Sequence, residues 1–155
     1  MEQNNALLKA CIDGNLAAAK KALDEGADVN YKDKYNYEMT PLHIASEQGN
    51  IELAKMLIEK GADVQARNNY ALLSAVENDH LEVVKFLVSQ GANIHAQEDS
   101  ALICSSKNGH LNVVKFLVSQ GANIHAYEDF ALRGSAQKGH IEVVKYLKSI
   151  TKRKK

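Results

Sequence analysis

The sequence has no tryptophan, one proline, two cysteines and no excess charge, since 19 basic residues balance 19 acidic ones. Two cysteines cannot build a disulfide framework, so we expect Cys11 and Cys104 to be reduced thiols in a cytoplasmic protein. No apolar stretch approaches the roughly 18 residues that a membrane span needs. The first residues also lack the basic and apolar segments of a signal peptide. These absences argue against the secreted and membrane-spanning classes of protein.

Short motifs that carry common chemistries are missing as well. The chain has no Gly-x-Gly-x-x-Gly, no phosphate-binding loop, no His-Glu-x-x-His and no Cys-x-x-Cys. Acid–base or nucleophilic catalysis needs side chains that converge in a pocket, and no acidic pair stands beside a nucleophile and a base. We therefore expect that the protein is not an enzyme and that it binds no cofactor and no metal.

What the sequence does contain is a repeat. One stretch occurs twice in identical form, at residues 83–96 and 113–126, and a Gly-Ala-Asp or Gly-Ala-Asn triplet recurs along the chain. Self-similarity of this kind indicates a solenoid, in which each unit packs on its neighbours. The period predicts a single domain over residues 1–155, made of five units and a basic tail. The units cover residues 2–31, 32–66, 67–96, 97–126 and 127–150, and the tail covers residues 151–155.

Each unit has the pattern of two helices separated by a turn. In the fourth unit a short helix is predicted after Ser100 and ends before Gly109, because glycine suits the left-handed residue that closes a helix. In the second predicted helix, apolar residues recur at three- and four-residue spacing. They are Leu111, Val114, Leu117 and Val118. One hairpin is too small to bury these faces, so we expect neighbouring units to complete the core.

The second unit carries a more specific pattern. Residues 40–43 are Thr-Pro-Leu-His, and residues 61–64 are Gly-Ala-Asp-Val. Both blocks, in this order, make the unit closely resemble an ankyrin repeat, and the resemblance extends over all five units. It implies an all-α fold, namely an ankyrin-repeat α-solenoid of helix-turn-helix units with projecting loop or hairpin fingers. It also implies a non-catalytic protein–protein interaction module.

The units depart from the family period of about 33 residues in both directions. The second unit is longer between Asp33 and Thr40, whereas units three to five are shorter and lack the Thr-Pro-Leu-His block. We therefore expect one long finger before the second unit and clipped fingers on the last three units. Because Thr and His of this block usually tie adjacent units, we also expect this polar link to be missing in units three to five.

The resemblance implies that a partner binds the concave face, which is formed by the fingers and the exposed ends of the first helices. Eight residues at these helix ends differ between units, while the neighbouring blocks repeat. They are Glu47, Gln48, Glu77, Asn78, Lys107, Asn108, Gln137 and Lys138. Such variation is expected of a recognition surface and equally of unconstrained solvent positions.

The finger residues add side chains of the types that dominate interface energies. These candidates are Tyr31, Tyr35 and Tyr37 in the long finger, and Arg67, Tyr127 and Arg133 in later loops. We expect at least one of the three clustered tyrosines to be exposed. The alternative is that one or two of them pack on the neighbouring finger. Tyr70 and Phe130 occupy the slot of the family threonine, so we expect structural roles for both.

The six histidines do not suggest a metal site. His80, His110 and His140 share one repeat position, and His95 and His125 share another. Packed helices lie about 10 Å apart, whereas zinc ligands must lie within about 2.3 Å of one ion. We expect scaffold roles instead. In the ankyrin pattern, the side chain that begins each second helix can bond to the preceding loop, and both cysteines lie in first helices, where small buried residues are expected.

The sequence ends in the basic run Lys152, Arg153, Lys154 and Lys155. It has three interpretations, namely a solvated tail, a nuclear import sequence, or a contact for nucleic acid or acidic lipid. We favour the solvated tail, because chain ends are usually disordered and no basic stripe with interleaved aromatics follows the units. We expect another protein as the partner, no nucleic acid, no membrane, and a monomer.

Two other functions stay open from the sequence alone. The chain could be a repeat scaffold without a native target, produced by recent duplication or by engineering, and the near-identity of units three and four favours duplication. It could also be an inhibitor that occludes the site of an enzyme. Asn30 stands at a position that is hydroxylated in some ankyrin-like proteins, and the sequence does not decide whether it is modified here.

Overall fold

The structure is a computed structural model that describes residues 1–153, and the backbone of these residues forms ten helices. They are α1 (Glu2–Ile12), α2 (Leu16–Asp24), α3 (Pro41–Glu47), α4 (Ile51–Glu59), α5 (Ala66–Glu77), α6 (Leu81–Ser89), α7 (Ala96–Asn108), α8 (Leu111–Ser119), α9 (Ala126–Gln137) and α10 (Ile141–Arg153). Odd-numbered helices are the first helices of the units, and even-numbered helices are the second helices. The predicted all-α architecture of paired helices is confirmed.

The helices form two layers. The first helices pack on one another in chain order, from α1 through α3, α5 and α7 to α9, and the second helices form the other layer in the same order. Each first helix also packs against the second helix of its own unit. The main contacts therefore join near neighbours in the chain, which is how a solenoid distributes its stability.

Equivalent leucines form the core of the stack. Leu57, Leu87 and Leu117 stand at one position of three successive second helices, and each has 0% exposure. Burying one such side chain is worth about 1.5–3 kcal/mol relative to leaving it in water. In the first unit Ala22 occupies this position, so the core is thinner at that end of the stack.

The Thr-Pro-Leu-His block of the second unit forms hydrogen bonds both within α3 and with α5. The Thr40 N–H donates to His43 Nδ1 at 3.1 Å, and the His43 N–H donates to Thr40 Oγ1 at 3.4 Å, so the two residues cap α3 reciprocally. The other ring nitrogen, His43 Nε2, donates at 3.4 Å to the carbonyl of Ala66, which begins α5, the first helix of the third unit. One buried side chain therefore fixes both the start of a helix and the next unit.

The long finger, residues 31–39, precedes α3, the first helix of the second unit, as predicted. Its base is an antiparallel bridge in which the Asp33 N–H donates to the Met39 carbonyl at 3.0 Å. The Glu38 N–H donates back to the Asp33 carbonyl at 2.9 Å, and the Asp33 carboxylate accepts the Tyr35 N–H at 3.0 Å. These bonds close the finger on itself, so it is held by its own backbone.

Units three to five replace the finger by a short left-handed turn. Three consecutive residues with positive φ lead into each first helix, so the right-handed part of these helices begins only after them. They are residues 67–69, 97–99 and 127–129, with φ between 48° and 64°. The predicted clipped fingers are thus confirmed. Left-handed backbone costs roughly 1–2 kcal/mol for each ordinary residue, so other contacts must offset these turns.

The last residue of the left-handed turn supplies one such contact, and it corrects our expectation that units three to five lack a polar link. Asn69 Oδ1 accepts the Asn93 N–H at 2.7 Å, and Asp99 Oδ1 accepts the Asn123 N–H at 2.8 Å. The turn directs these nearly buried side chains toward the loop that ends the same unit and leads into the next one. A polar link is therefore present in these units, but its donor, its acceptor and its position differ from those of the Thr-Pro-Leu-His block.

Two smaller expectations are also corrected. Helix α10 continues to Arg153, so the first three residues of the predicted tail are helical and exposed, while Lys154 and Lys155 lie outside the described residues. Cys11 is buried as expected, but Cys104 is only half-buried because it faces the open side of α7.

Candidate partner-binding face

The open side of the odd-numbered helices, together with the long finger, is called here the first-helix face. The candidates at the helix ends lie on α3, α5, α7 and α9 or directly after them, so each unit from the second to the fifth contributes one pair. All of these residues are exposed except Lys107, which is half-buried. The structure therefore places the predicted residues in one row along the stack. Each pair belongs to a different unit, so a partner would contact the units one pair at a time.

A ladder of histidines fixes the backbone of this row. Nε2 of His80 donates to the Glu47 carbonyl at 2.9 Å, one unit back along the stack. His110 makes the same bond to Glu77 at 2.9 Å, and His140 makes it to Lys107 at 2.8 Å. We expected these side chains to bond to the preceding loop, and the acceptor in that prediction is wrong. The acceptors are carbonyls in the last turn of the preceding unit's first helix. The candidate side chains leave from backbone that is already anchored.

Several candidate side chains form hydrogen bonds within the protein, and Gln48 and Asn78 are two of them. Gln48 Nε2 donates to the Ile12 carbonyl at 2.7 Å, so it links the second unit to the first. Asn78 Nδ2 donates to the Ser74 carbonyl at 2.9 Å in its own helix. A buried or bridging hydrogen bond reduces what a side chain can offer to a partner, so Gln48 and Asn78 are weaker contact residues than their exposure alone suggests.

The tip of the long finger is the most exposed aromatic part of the described chain. Tyr35 is 99% exposed and Tyr37 is 85% exposed, whereas Tyr31 is half-buried and packs against the core. The prediction that at least one of these tyrosines is exposed is therefore confirmed. The alternative, in which a tyrosine stabilises the loop, describes Tyr31.

Arg67 supports this finger from the next unit. Its guanidinium donates to the Tyr37 carbonyl and lies 5.2 Å from the centre of the Tyr70 ring. The Tyr70 ring in turn meets the His43 ring edge-on, with centroids 5.3 Å apart. Tyr70 therefore has the structural surroundings expected for it, and Arg67 positions the finger as well as lying on its surface.

A second aromatic cluster lies where α7 meets α9. The Arg133 guanidinium donates to the carbonyls of Tyr127 and Glu128, both at 2.9 Å, and so closes the left-handed turn of the fifth unit. It also lies 5.3 Å from the centre of the Phe130 ring, while Lys107 Nζ lies 5.7 Å from the same centre. Two cations thus converge on one half-buried ring.

Sequence reasoning missed the apolar floor of the first-helix face. Leu73 and Ile103 are half-buried and line hollows on α5 and α7, and Phe130 joins them from α9. Leu73 and Ile103 stand at the position that His43 holds in the second unit. An apolar residue in a slot that normally carries histidine was the feature of the sequence that could have identified them.

Burial changes the ionisation of three groups. It lowers the pKa of His43 to about 4, and the nearby Arg67 charge acts in the same direction. It raises the pKa of Cys11 to about 12 and that of Cys104 to about 11, where the neighbouring Glu77 carboxylate adds to the effect. Both cysteines are therefore protonated thiols at neutral pH, which makes them poor nucleophiles.

Comparison with known protein families agrees with the fold. The family model described as "Ankyrin repeats (3 copies)" matches residues 2–68 and again residues 72–154. The chain therefore belongs to the ankyrin repeat family. A comparison with curated proteins gave no match. Within the described residues, no helix has both the length and the apolar character to cross a membrane.

Proposed function

We propose that this protein binds a partner protein through the first-helix face and the long finger, and performs no chemistry of its own. Ankyrin repeats are generally protein–protein interaction modules, and the proteins that carry them are typically non-catalytic. The finer assignment of a surface rests on one observation. Tyr35 and Tyr37 are almost fully exposed on a loop whose backbone is closed by its own hydrogen bonds.

The energetic argument is one of preorganisation. Tyrosine is among the residues that most often dominate interface energies, and truncating such an anchor commonly costs on the order of 2 kcal/mol. A partner that binds a fixed loop does not have to order it, so more of the contact energy appears as affinity. The bond from Arg67 to the Tyr37 carbonyl and the histidine ladder hold the finger and the helix ends in place before a partner arrives.

The remaining features of the proposal concern state and place. We place the chain in the cytoplasm, where thiols stay reduced, because both cysteines are free. We also propose that it acts as a monomer. The basic residues Lys152 and Arg153 are exposed on the last turn of α10 and offer no second surface comparable with the finger.

Affinity capture with quantitative mass spectrometry tests the proposal. Immobilised wild-type protein is compared with the Tyr35→Ala/Tyr37→Ala variant in extract from the source cells. The matched control is Glu82→Ala/Lys85→Ala, which removes two exposed side chains from α6 on the other layer and leaves the net charge unchanged. We expect the finger variant to retain at least about tenfold less partner than wild type, and the control to retain it fully.

Two outcomes would contradict the proposal. Equal capture by the finger variant and wild type would remove the finger from the binding surface. Loss of the partner with the α6 control would move that surface to the second helices. Thermal unfolding of each variant shows whether a loss of binding reflects a loss of folding, and the exposed tyrosines are expected to leave the unfolding temperature unchanged.

A further inference from the structure

An apolar groove crosses the first-helix face on α5, α7 and α9, away from the long finger. Its first hollow lies between Leu73 and Cys104, and its second, of about 280 Å³, is lined by Ser100, Ile103, Tyr127 and Phe130. Ser100 and Ile103 line both hollows, so the two lie side by side. The groove therefore spans three successive units.

The floor of this groove is apolar where the second unit is polar. His43 turns inward to cap α3 and to bond the next unit, and its side chain has 0% exposure. Leu73 and Ile103 at the equivalent position have no polar atom to satisfy and stay half-exposed. Covering them would remove apolar area from water, which is favourable by roughly 25 cal/mol for each Å².

The fifth-unit end of the groove is positively charged. Lys107 and Arg133 lie 5.7 and 5.3 Å from the centre of the Phe130 ring, and among the described residues neither forms an ion pair with a carboxylate. Arg133 donates two N–H groups to the carbonyls of Tyr127 and Glu128, and its remaining N–H groups are available to donate to a ligand. An apolar hollow thus borders two cations that form no ion pair within the described residues.

The first hollow holds charges of both signs. Glu77 and Lys107 both line it, and the Glu77 carboxylate helps to raise the pKa of the Cys104 thiol. Around the second hollow, Lys107 and Arg133 lie beside the Phe130 ring. A ligand that lies along the groove therefore meets Glu77 only in the first hollow, which favours one direction for a charged ligand.

We propose that the groove binds an acidic segment of a partner protein, in which a large apolar side chain stands next to one or two carboxylates. The apolar side chain fills the hollow between Ile103, Tyr127 and Phe130, and the carboxylates bond to Lys107 and Arg133. This inference rests on the proposed protein-binding function and names the chemistry of the segment that is bound. A single-stranded nucleic acid fits less well, because the cations lie over the Phe130 ring that a base would stack on.

Selection from a random peptide library displayed on phage tests the proposal without a known partner. The library is panned against wild-type protein, and the enriched sequence is synthesised with a fluorescein label for anisotropy measurements. We expect enrichment of Asp or Glu beside Leu, Ile, Phe or Trp. Labelled peptide should bind wild type, and unlabelled single-stranded oligonucleotide should not displace it.

A matched pair of variants places the binding site. Lys107→Glu reverses a cation 5.7 Å from the Phe130 ring, and Lys115→Glu reverses a cation at the same distance from the Tyr146 ring on the second-helix layer. We expect Lys107→Glu to weaken peptide binding by at least about tenfold and Lys115→Glu to change it less than about twofold. Thermal unfolding of both proteins controls for damage to the fold.

The outcomes separate this proposal from the broader one. Enriched peptides without acidic residues, equal binding by the two lysine variants, or displacement by the oligonucleotide would overturn the acidic-segment proposal. The enriched peptides are then also measured on the Tyr35→Ala/Tyr37→Ala variant. If they bind wild type but not this variant, the protein-binding function stands and its site is the finger. A library that yields no enriched peptide on wild type would count against both proposals.

Discussion

The first two units and the last three carry different side chains at the position before the second helix, and only the later ones use it to contact a neighbouring unit. Asn15 and Asn50 stand directly before a second helix, and each accepts a backbone N–H from its own helix, at 3.0 and 3.1 Å. His80, His110 and His140 occupy this position in the later units and bond to the preceding unit instead. A short amide stabilises the helix that it begins, whereas a longer imidazole reaches across the boundary.

The exchange requires room as well as reach. Gly49 has φ of 69°, and a side chain there would overlap the His80 ring, so glycine both closes α3 and admits the histidine of the next unit. In the third unit Asp79 takes this position with φ of 60°, and its carboxylate lies 3.7 Å from His110 Nδ1. The imidazole ring before the second helix therefore has a glycine beside it in one case, Gly49 at His80, and an aspartate in another, Asp79 at His110.

Replacing Leu117 by Ala should have the largest effect and shows what the two regions share. Leu117 and its second-unit counterpart Leu57 are both fully buried, so we expect each Leu→Ala change to lower the free energy of unfolding by about 2–5 kcal/mol. Urea unfolding measures both values. Leu16→Ala serves as the control, because Leu16 is 41% exposed and should cost less. A cost below about 1 kcal/mol for Leu117→Ala would mean that the leucine ladder does not carry the core.

Acid should act on the second unit more than on the later ones, because only it holds a buried histidine in its first helix. The folded-state pKa of His43 is about 4, below the ordinary value of 6.5, so unfolding takes up a proton between these values. This contribution to stability is therefore present above pH 6.5 and is lost as the pH falls toward 4, by about 2–3 kcal/mol.

His43→Leu isolates that effect, since Leu73 occupies the same position in the third unit. The substitution removes the cap of α3 at every pH, so the informative quantity is the change in its cost with pH. We expect the difference between wild type and His43→Leu, measured by urea unfolding, to shrink steadily from pH 7 to pH 4. A difference that stays constant over this range would show that His43 does not titrate below 6.5.

The polar link of the later units should have a smaller effect. Asp99→Ala removes the acceptor for the Asn123 N–H and the partner of His95, whereas Asp129 has the same φ of 61° without a described unit beyond it. We expect Asp99→Ala to cost about 1–3 kcal/mol more than Asp129→Ala, because both lose the same left-handed preference and only one loses a part-buried hydrogen bond from a backbone N–H to a carboxylate. Equal costs for the two variants would show that the link contributes nothing.

The sequence predicted the parts of this comparison that depend on periodicity. Paired helices, the buried Leu117, the long finger and the clipped later fingers all follow from apolar spacing and from the lengths between repeated blocks. The replacement link does not follow, because Asn69 and Asp99 act from left-handed backbone that their residue types do not specify. The histidine ladder was predicted only in part, since its acceptors are main-chain carbonyls, which every residue possesses. Groove residues such as Ile103 were overlooked for a different reason, because an apolar residue in a helix is expected to face the core.

Exchanging the residue before the second helix should have the smallest effect. It tests most directly the difference between a side chain that caps its own helix and one that bonds to the preceding unit. His110→Ala removes the bond to the Glu77 carbonyl and supplies nothing in return, so we expect a cost of about 1–2 kcal/mol in urea unfolding. His110→Asn also removes that bond, but it introduces the helix cap that Asn50 provides in the second unit. The cap is worth about 1 kcal/mol, so His110→Asn should be more stable than His110→Ala by roughly that amount.

Hydrogen exchange distinguishes where the recovered stability resides. In His110→Asn the amides of α8 should stay protected, because the cap stabilises that helix from within. The amides at the end of α5 should exchange faster than in wild type, because their carbonyl has lost its partner in the next unit. Uniform exchange across the two helices would mean that the cap and the cross-unit bond are energetically equivalent. The change from asparagine to histidine along the stack would then carry no consequence for how the units are coupled.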